Sequence, residues 1–171
     1  TGDRIKIFFD KDLYDIKIID AVGNVKLVSD QYSIKADSEK LVFTVNDEII
    51  KLNGTNSELI TNETEMYSDG EIEVNNINGD FFLFGPNSKM IAEDIYIQGN
   101  LIEGVFDNND DGKSIKQLNV ADENIAYVKT ENTEMYANKL DYDENTSLII
   151  LENNVKIIRD GETITGDYGT L

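Results

Sequence analysis

Acidic and small residues that could bind a metal ion gather in one segment, Asp107-Asn108-Asn109-Asp110-Asp111-Gly112. This order matches the first half of an EF-hand calcium loop, in which oxygen ligands at alternate positions surround the ion. The full loop also requires a bidentate glutamate at position 118, where the chain has Leu118. The preferred interpretation is therefore a solvated hairpin loop. A weak calcium site is left open as the alternative, with the ligands Asp107, Asn109 and Asp111.

The sequence offers few residues for covalent or acid–base chemistry. It contains no cysteine and no histidine, which excludes thiol nucleophiles, imidazole bases and zinc sites built from these ligands. The segment 161–166 has the glycine spacing of a phosphate loop, but Asp167 stands where that loop requires lysine. With 34 Asp and Glu residues, carboxylate pairs arise by chance, so spacing alone identifies no glycosidase pair. We expect a protein that is not an enzyme and that uses no cofactor.

Composition restricts the class of protein further. The 171 residues carry a formal charge of −19, a field that repels nucleic acid. The hydrophobic share of 40% is sufficient for a core, and the length predicts a single domain over residues 1–171. The longest apolar runs, Phe81 to Phe84 and Leu148 to Leu151, are too short to span a bilayer.

Alternation of apolar and polar residues indicates β-strands along the chain. Near the C-terminus four short alternating runs are separated by Asp, Asn and Gly, a pattern typical of antiparallel strands joined by tight turns. These runs are Met135 to Tyr142, Ser147 to Leu151, Val155 to Ile158, and Thr163 to Leu171. At the other end, alternation from Ile5 to Phe9 predicts a strand at a sheet edge.

The strand units repeat. Gly23, Gly54 and Gly85 follow one another at intervals of 31 residues, and Thr-Glu-Met-Tyr occurs at both 64–67 and 133–136. Similar units at a regular interval favour stacking of one supersecondary structure on the next. Chance similarity in a chain rich in Thr, Glu, Ile and Asn is the alternative.

The two ends of the chain align with each other most clearly. Segment 14–45 can be superimposed on the C-terminal runs so that Gly23 corresponds to Asn153 and Val25 to Val155. The same alignment matches Leu27 with Ile157, and Ile34 with Ile164. We therefore expect Gly23 and Asn153 to occupy equivalent positions in two superimposable strand–turn–strand units.

These units resemble the repeat of the OstA-like lipopolysaccharide-transport proteins, the periplasmic components LptA and LptC. The family repeat has an Ala-x-x-x-x-Tyr strand, a Leu-x-Gly-Asn-Val strand and an Ile-x-Gly/Ala-Asp strand. In this chain the corresponding residues are Ala137 with Tyr142, Leu151 to Val155, and Ile164 to Asp167. Asn153 replaces the family's glycine, whereas Gly23-Asn24-Val25 keeps it.

The resemblance implies both a fold and a function. The fold would be all-β, a twisted, partly open β-jellyroll of repeated antiparallel strand units. The function would be non-enzymatic: lipid A acyl chains of lipopolysaccharide would be shielded between two β-sheets in the periplasm. Edge strands would join this protein to other Lpt jellyroll proteins in a head-to-tail bridge between membranes, or to weak homo-oligomers. An LptC-like protein would require a membrane anchor ahead of Thr1, and an LptA-like protein only a cleaved signal.

Parity along the strands predicts the row of side chains that would line such an acyl trough. The predicted row consists of Ile19, Val25, Leu27, Ile34, Leu52, Phe82, Phe84, Ile149, Leu151, Val155, Ile157 and Ile164. Ordinary core packing is the competing interpretation for each of them. Two other functions remain open: a structural or adhesive β-solenoid with closed sheets, and a carbohydrate-binding β-sandwich. The absence of tryptophan argues against the sandwich.

Overall fold

The computed structural model describes residues 1–30, 33–109 and 112–171, and within these residues every regular element is a β-strand. Strands form because β-branched and aromatic residues alternate with polar ones, while Gly, Asn and Asp occupy the connections. All strand pairs described are antiparallel and belong to one 15-stranded sheet. The all-β fold expected from the sequence is thereby confirmed. The described residues contain no helix long and apolar enough to cross a membrane.

Long and short strands have different places in the chain. Long strands lie towards both ends, and short strands occupy the middle. In chain order the strands are β1 (Arg4–Phe9), β2 (Ile16–Ser29), β3 (Ile34–Thr44), β4 (Ile49–Asn53), β5 (Ser57–Ile60), β6 (Thr64–Ser68), β7 (Glu71–Asn75), β8 (Asp80–Phe84), β9 (Lys89–Ala92), β10 (Ile95–Gln98), β11 (Leu101–Asn109), β12 (Gly112–Lys129), β13 (Thr133–Asp143), β14 (Leu148–Arg159) and β15 (Glu162–Thr170).

The sheet divides into two arms that face each other. The long strand β3 pairs with β5 through its first half and with β4 through its second half. From there arm 1 continues through β4, β7, β8 and β11, and arm 2 through β5, β6, β9 and β10. The arms meet again on β12, which pairs with both β11 and β10. Each long strand therefore contributes one half to each arm, and the buried side chains of both arms form one hydrophobic core.

Directly paired residues on adjacent strands share a face of the sheet, so the register defines continuous inner rows. The inner row of arm 1 runs through Ile5, Ala21, Leu41, Leu52, Ile72, Leu83, Ile102, Val120, Leu140, Leu151 and Gly169. The inner row of arm 2 runs through Leu27, Ala36, Leu59, Met66, Met90, Ile97, Val128, Met135, Ile157 and Ile164.

Where the chain passes from one arm to the other it forms a corner, and the residues of these corners have left-handed backbone conformations. Gly23, Gly54 and Gly85, the residues at 31-residue intervals, all lie there with positive φ angles of 81°, 128° and 124°. Glycine adopts such angles without the steric cost that a Cβ brings. In the C-terminal copy Asn153 and Asn154 form the corner with φ of 62° and 55°. Both corners interrupt the register as bulges, between Val22 and Val25 and between Glu152 and Val155.

The predicted repeat is thus present, with two corrections. Gly23 and Asn153 occupy equivalent bulges, and Met66 and Met135 of the repeated tetrapeptides are both buried in the same inner row. However, Ile164 pairs with Ile157, whereas Leu27 pairs with Ala36 rather than Ile34. The alignment of Ile34 with Ile164 is therefore wrong by two residues, because the connection after β2 is longer than the one after β14. Segments 147–151 and 155–158 are also one bulged strand rather than two.

Candidate binding cavity between the sheet arms

The arms separate towards the C-terminal end of the stack and leave an apolar cavity of about 330 Å³ between them. Arm 1 contributes Ile115, Leu118, Leu140, Tyr142 and Ile149 to its lining. Arm 2 contributes Ala92, Ile95, Val128 and Met135. Strands with a buried apolar row on each arm therefore position a pocket whose walls are mostly hydrophobic. Cavities of a few hundred Å³ with such walls are typical small-molecule sites.

A second space extends this cavity towards β15. It measures about 370 Å³ and shares Thr130, Met135 and Ile149 with the first. Leu171 and Arg159 also line it. The space between the arms therefore continues towards the C-terminal end of the stack, where polar and charged residues such as Asn132 and Thr133 form most of its lining.

The interior closes in the other direction. Leu52, Ile72 and Leu83 are fully buried in the inner row of arm 1, as Leu59 and Met66 are in arm 2. A space at this level, bounded by residues such as Ile34 and Phe43, measures about 30 Å³. Among the described residues, the N-terminal part of the interior is therefore a closely packed core, in contrast to the open C-terminal part.

Carboxylates surround the mouth of the open part. Exposed Glu93 and Glu144 line the cavity itself, and Asp94 and Glu131 line its extension, where Arg159 is the basic residue. The pKa of the Tyr142 hydroxyl is raised, first by its burial and then by the nearby charges of Glu144 and Asp143. This phenol therefore stays neutral in neutral solution. The charged residues that line the cavity are Glu93 and Glu144, which are exposed at its mouth.

The residues of the predicted row lie in the buried core, at the more exposed ends of the stack, or in the linings of the two spaces between the arms. Val25, Leu52, Leu151, Val155 and Ile157 belong to the buried core. Ile19 and Leu27 are half-buried at the N-terminal end, and Ile164 is in the same row but 64% exposed on the last strand. Ile149 lines the open cavity, and Ile34 lines the small N-terminal space. Their inward orientation agrees with the expected parity; binding of acyl chains by these residues remains a prediction.

Phe82 and Phe84 were expected between the sheets, and this placement is wrong. Phe82 pairs with Glu73 and Glu103, and Phe84 pairs with Glu71 and Leu101 on the outer face. Phe84 is 52% exposed, and the two rings are stacked with centroids 6.2 Å apart. The inner positions of β8 belong to Phe81 and Leu83 instead. The 31-residue interval would have found Leu83, since it lies 31 residues after the buried Leu52.

Most of the residues that line the open cavity were not predicted from the sequence. Ile115, Leu118 and Val128 lie on β12, beyond the part of the chain in which glycines recur every 31 residues. A pairing shift between Ala121 and Ala126 also changes the register before Val128. The repeated tetrapeptide Thr-Glu-Met-Tyr could have identified Met135 as an inward-facing residue, because Met66 at the same position of the first copy is also buried.

A larger depression of about 580 Å³ lies on the outer face of arm 1. Phe82, Leu148 and Ile150 give it an apolar floor, and its rim carries the carboxylates Asp80, Glu103, Asp141 and Asp143. An apolar chain there would stay partly in contact with water. The smaller cavity between the arms is therefore the better candidate for an apolar ligand.

The segment with calcium-loop spacing forms the connection between two strands. β11 and β12 pair antiparallel as far as Asn109 and Gly112, so the described residues of the segment belong to these two strands. The solvated loop preferred from the sequence falls on residues outside the described ones. Asp110 and Asp111 lie outside the described residues, and the weak calcium site with Asp107, Asn109 and Asp111 remains a prediction. Among the described residues no cluster of three or more His, Cys, Asp or Glu side chains could hold a metal ion.

The fold and the cavity together define an all-β jellyroll of stacked antiparallel units with an apolar interior. Among solved structures, the chain is similar to the crystal structure of LptH, the LptA-homologous periplasmic component of the lipopolysaccharide transport device of Pseudomonas aeruginosa. The similarity covers 63% of this chain and 73% of that one, with 18% identity and a TM-score of 0.49. A similarity of this size carries no functional argument. No protein-family model and no curated protein matches the sequence.

Proposed function

We propose that this protein is a non-enzymatic lipopolysaccharide-transport component of the periplasm that shields acyl chains between its two sheet arms. The observation that carries the proposal is the apolar cavity between the arms, open to the C-terminal end of the stack. The resemblance of the strand units to the OstA-like repeat supplies the choice of lipid.

The size and lining of the cavity suit a hydrocarbon chain. A methylene group is about as large as a water molecule, whose share of liquid volume is about 30 Å³, so about 330 Å³ corresponds to roughly ten methylenes. Each methylene removed from water contributes about 0.8 kcal/mol. The lining residues Leu118, Leu140 and Ile149 place only apolar side-chain atoms against such a chain. A lipid with several chains would require the arms to separate further at their tips.

The charge of the protein shapes how an anionic lipid would bind. The formal charge of −19 and the rim residues Glu93 and Glu144 repel the phosphates of lipid A. The phosphorylated head group would therefore remain in solvent while the chains enter the cavity. Because salt screens exposed charges, affinity for lipid A should rise between low and physiological ionic strength. Isothermal titration at several salt concentrations measures this, and an affinity that falls with salt would contradict it.

Edge strands provide the contacts for a bridge. In the described residues β1 pairs only with β2, and β15 only with β14. Both carry exposed apolar side chains, with Ile7 at 46% and Ile164 at 64% exposure. An unpaired edge with an apolar face favours addition of a strand from another jellyroll protein. Joining unlike ends is heterologous, so it extends into a chain of proteins rather than closing as a dimer.

The closely packed N-terminal interior favours a second candidate, a structural or adhesive β-solenoid. Leu52, Ile72 and Leu83 are completely buried there, and the space left between the arms is about 30 Å³. Such a protein would have no need of a ligand cavity. Lipid binding separates the two candidates.

Two neighbouring residues of β14 provide a matched test. Ile149 faces the cavity and Ile150 the outer face, and both are half-buried. Ile149→Arg should abolish binding of lipid A, because a guanidinium would fill the apolar space and would lose its hydration there. Ile150→Arg should bind as the unaltered protein does. Binding is measured by titration with lipid A, and circular dichroism checks the fold of both variants.

The outcomes distinguish the two candidate functions. Loss of binding in a folded Ile149→Arg variant alone supports the cavity. No binding of lipid A or of any acyl chain by the unaltered protein would overturn the proposal and leave the structural solenoid. The buried Val25 and Val155 are unsuitable for this test, because a charge at either position would disturb the core next to the corner.

A further inference from the structure

The space between the arms is divided by two aromatic side chains. Val74 lines the small N-terminal space, and its direct partner across the sheet is Phe81. Ile115 lines the open C-terminal cavity, and its direct partner is Phe106. Phe81 and Phe106 therefore stand between the two spaces, on the adjacent strands β8 and β11.

The two rings fill the interior at this level. Their centroids are 4.4 Å apart, and each residue is 2% exposed. Gly104 makes room for the Phe81 ring, because a Cβ there would lie 2.6 Å from its Cζ. Gly79 makes room for the backbone of Phe106, whose carbonyl oxygen would lie 2.4 Å from a Cβ. Gly79 accepts a hydrogen bond of 2.9 Å from the Phe106 backbone amide, which fixes the strand against its neighbour. The Phe81 ring is thus packed against β11, and the backbone that carries the Phe106 ring is fixed next to β8.

We propose that the Phe81–Phe106 pair is a partition that limits an acyl chain to the C-terminal cavity and so determines the chain length that the protein binds. This inference rests on the proposed function and adds a specificity determinant to it. A chain that enters from the C-terminal end extends between Met135 and Leu140 until its tip meets the Phe106 ring. Carbon atoms beyond that length stay outside the cavity and gain nothing from it.

Single-chain alkyl maltosides test the partition, because their uncharged head groups are not repelled by the acidic rim. Affinity is measured by isothermal titration below micelle formation, for chains of increasing length. Each methylene that finds room should tighten binding roughly threefold to fourfold. For the unaltered protein the gain should end at roughly ten carbons, the length that the cavity volume corresponds to.

Removing the partition should move this limit. In Phe106→Ala the gain in affinity should continue to chains several methylenes longer. Phe106→Leu keeps more of the core filled and should shift the limit less, in the same direction, so it serves if the alanine variant unfolds. Phe43→Leu is the matched control: Phe43 lines the N-terminal space beyond the partition, and its replacement should leave the limit unchanged.

A photoreactive diazirine on the last carbon of the chain gives a second readout. It should label residues near Ile115 in the unaltered protein and should reach Ile50 or Val74 in the Phe106 variants. If short chains bind but affinity shows no limit, or if folded Phe106 variants keep the same limit and labelling, the partition is wrong while the proposed lipid binding stands. If no chain of any length binds, the proposed function itself fails.

Discussion

At some positions of this fold there is no room for a larger side chain, and Gly104 is the clearest example. It lies on the inner face of β11, opposite Phe81. A Cβ there would approach the Gln117 carbonyl oxygen to 2.1 Å and the Phe81 ring to 2.6 Å. Both neighbours are fixed, one by the sheet and the other by the core. Gly166, also within a strand, has no atom closer than 3.5 Å to the corresponding position.

Substitution of each glycine by alanine distinguishes two effects on stability: steric crowding by the new Cβ, which applies at Gly104, and the reduced freedom of the backbone, which applies at both positions. Gly104→Ala should destabilise the protein by about 1–3 kcal/mol, the usual cost of overpacking a core. Gly166→Ala should stay within about 0.5 kcal/mol. Urea unfolding followed by circular dichroism measures both. Equal stabilities would mean that the close approach of β8, β11 and β12 does not exist as described.

At the residue scale, sequence reasoning identified inward-facing positions well where the strands are regular. Val25, Leu151 and Val155 are buried as expected. It failed at Phe82 and Phe84, because parity was followed across a turn with no means of counting how many residues the turn absorbs. A single residue more or less in a connection turns a whole strand over. Hydrophobicity could not correct the error, since β8 is apolar on both faces.

Elements were easier to predict than their connections. The four C-terminal runs correspond to β13, β14 and β15 except for their end residues Ser147 and Leu171, but Asn153-Asn154 proved to be a bulge and not a turn. A turn and a bulge both use Asn in a left-handed conformation, so composition cannot separate them. The division of the sheet into two arms was likewise expected only from the family resemblance. It arises because β3 pairs with both β4 and β5, and such double pairing produces no recognisable pattern in the sequence of β3.

The edge strands lead to a prediction at the element scale. If the exposed rows of β1 and β15 join protein molecules head to tail, photo-crosslinkers at Ile7 and at Ile164 should link unlike ends. Association should be weak and should strengthen with salt, because each molecule carries a charge of −19. Lysine in place of Ile164 should weaken it, and analytical ultracentrifugation measures the difference. Crosslinks between like ends alone, or none to any jellyroll partner, would contradict the bridge.

The charge of the whole molecule affects its stability as well as its partners. Side-chain hydrogen bonds from Thr55 and Asn87 lower the pKa of Glu39 and Asp69, and the Asn145 backbone amide lowers that of Asp143. A carboxylate with a lowered pKa in the folded state stabilises the protein above its unfolded value, and this contribution is lost as pH falls through the folded value. Repulsion among the many carboxylates acts in the opposite direction, because protonation relieves it.

These two effects predict a stability maximum in mildly acidic solution. The melting temperature should rise from pH 7 to about pH 5 as repulsion decreases, and should fall once the pH drops below 3.8, the ordinary value for aspartate. Salt should reduce the rise, since it screens the repulsion. Thermal unfolding at low and high salt tests this. A melting temperature that falls steadily from pH 7 would show that self-repulsion is not the larger effect near neutrality.

The central claim is that an acyl chain lies between the two arms, and a crystal structure with a terminally brominated alkyl chain tests it most directly. We expect an anomalous bromine signal inside the cavity, in contact with Ile115 or Phe106 and close to Met135. A signal in the outer depression beside Phe82 and Ile150, with the cavity between the arms empty, would contradict it.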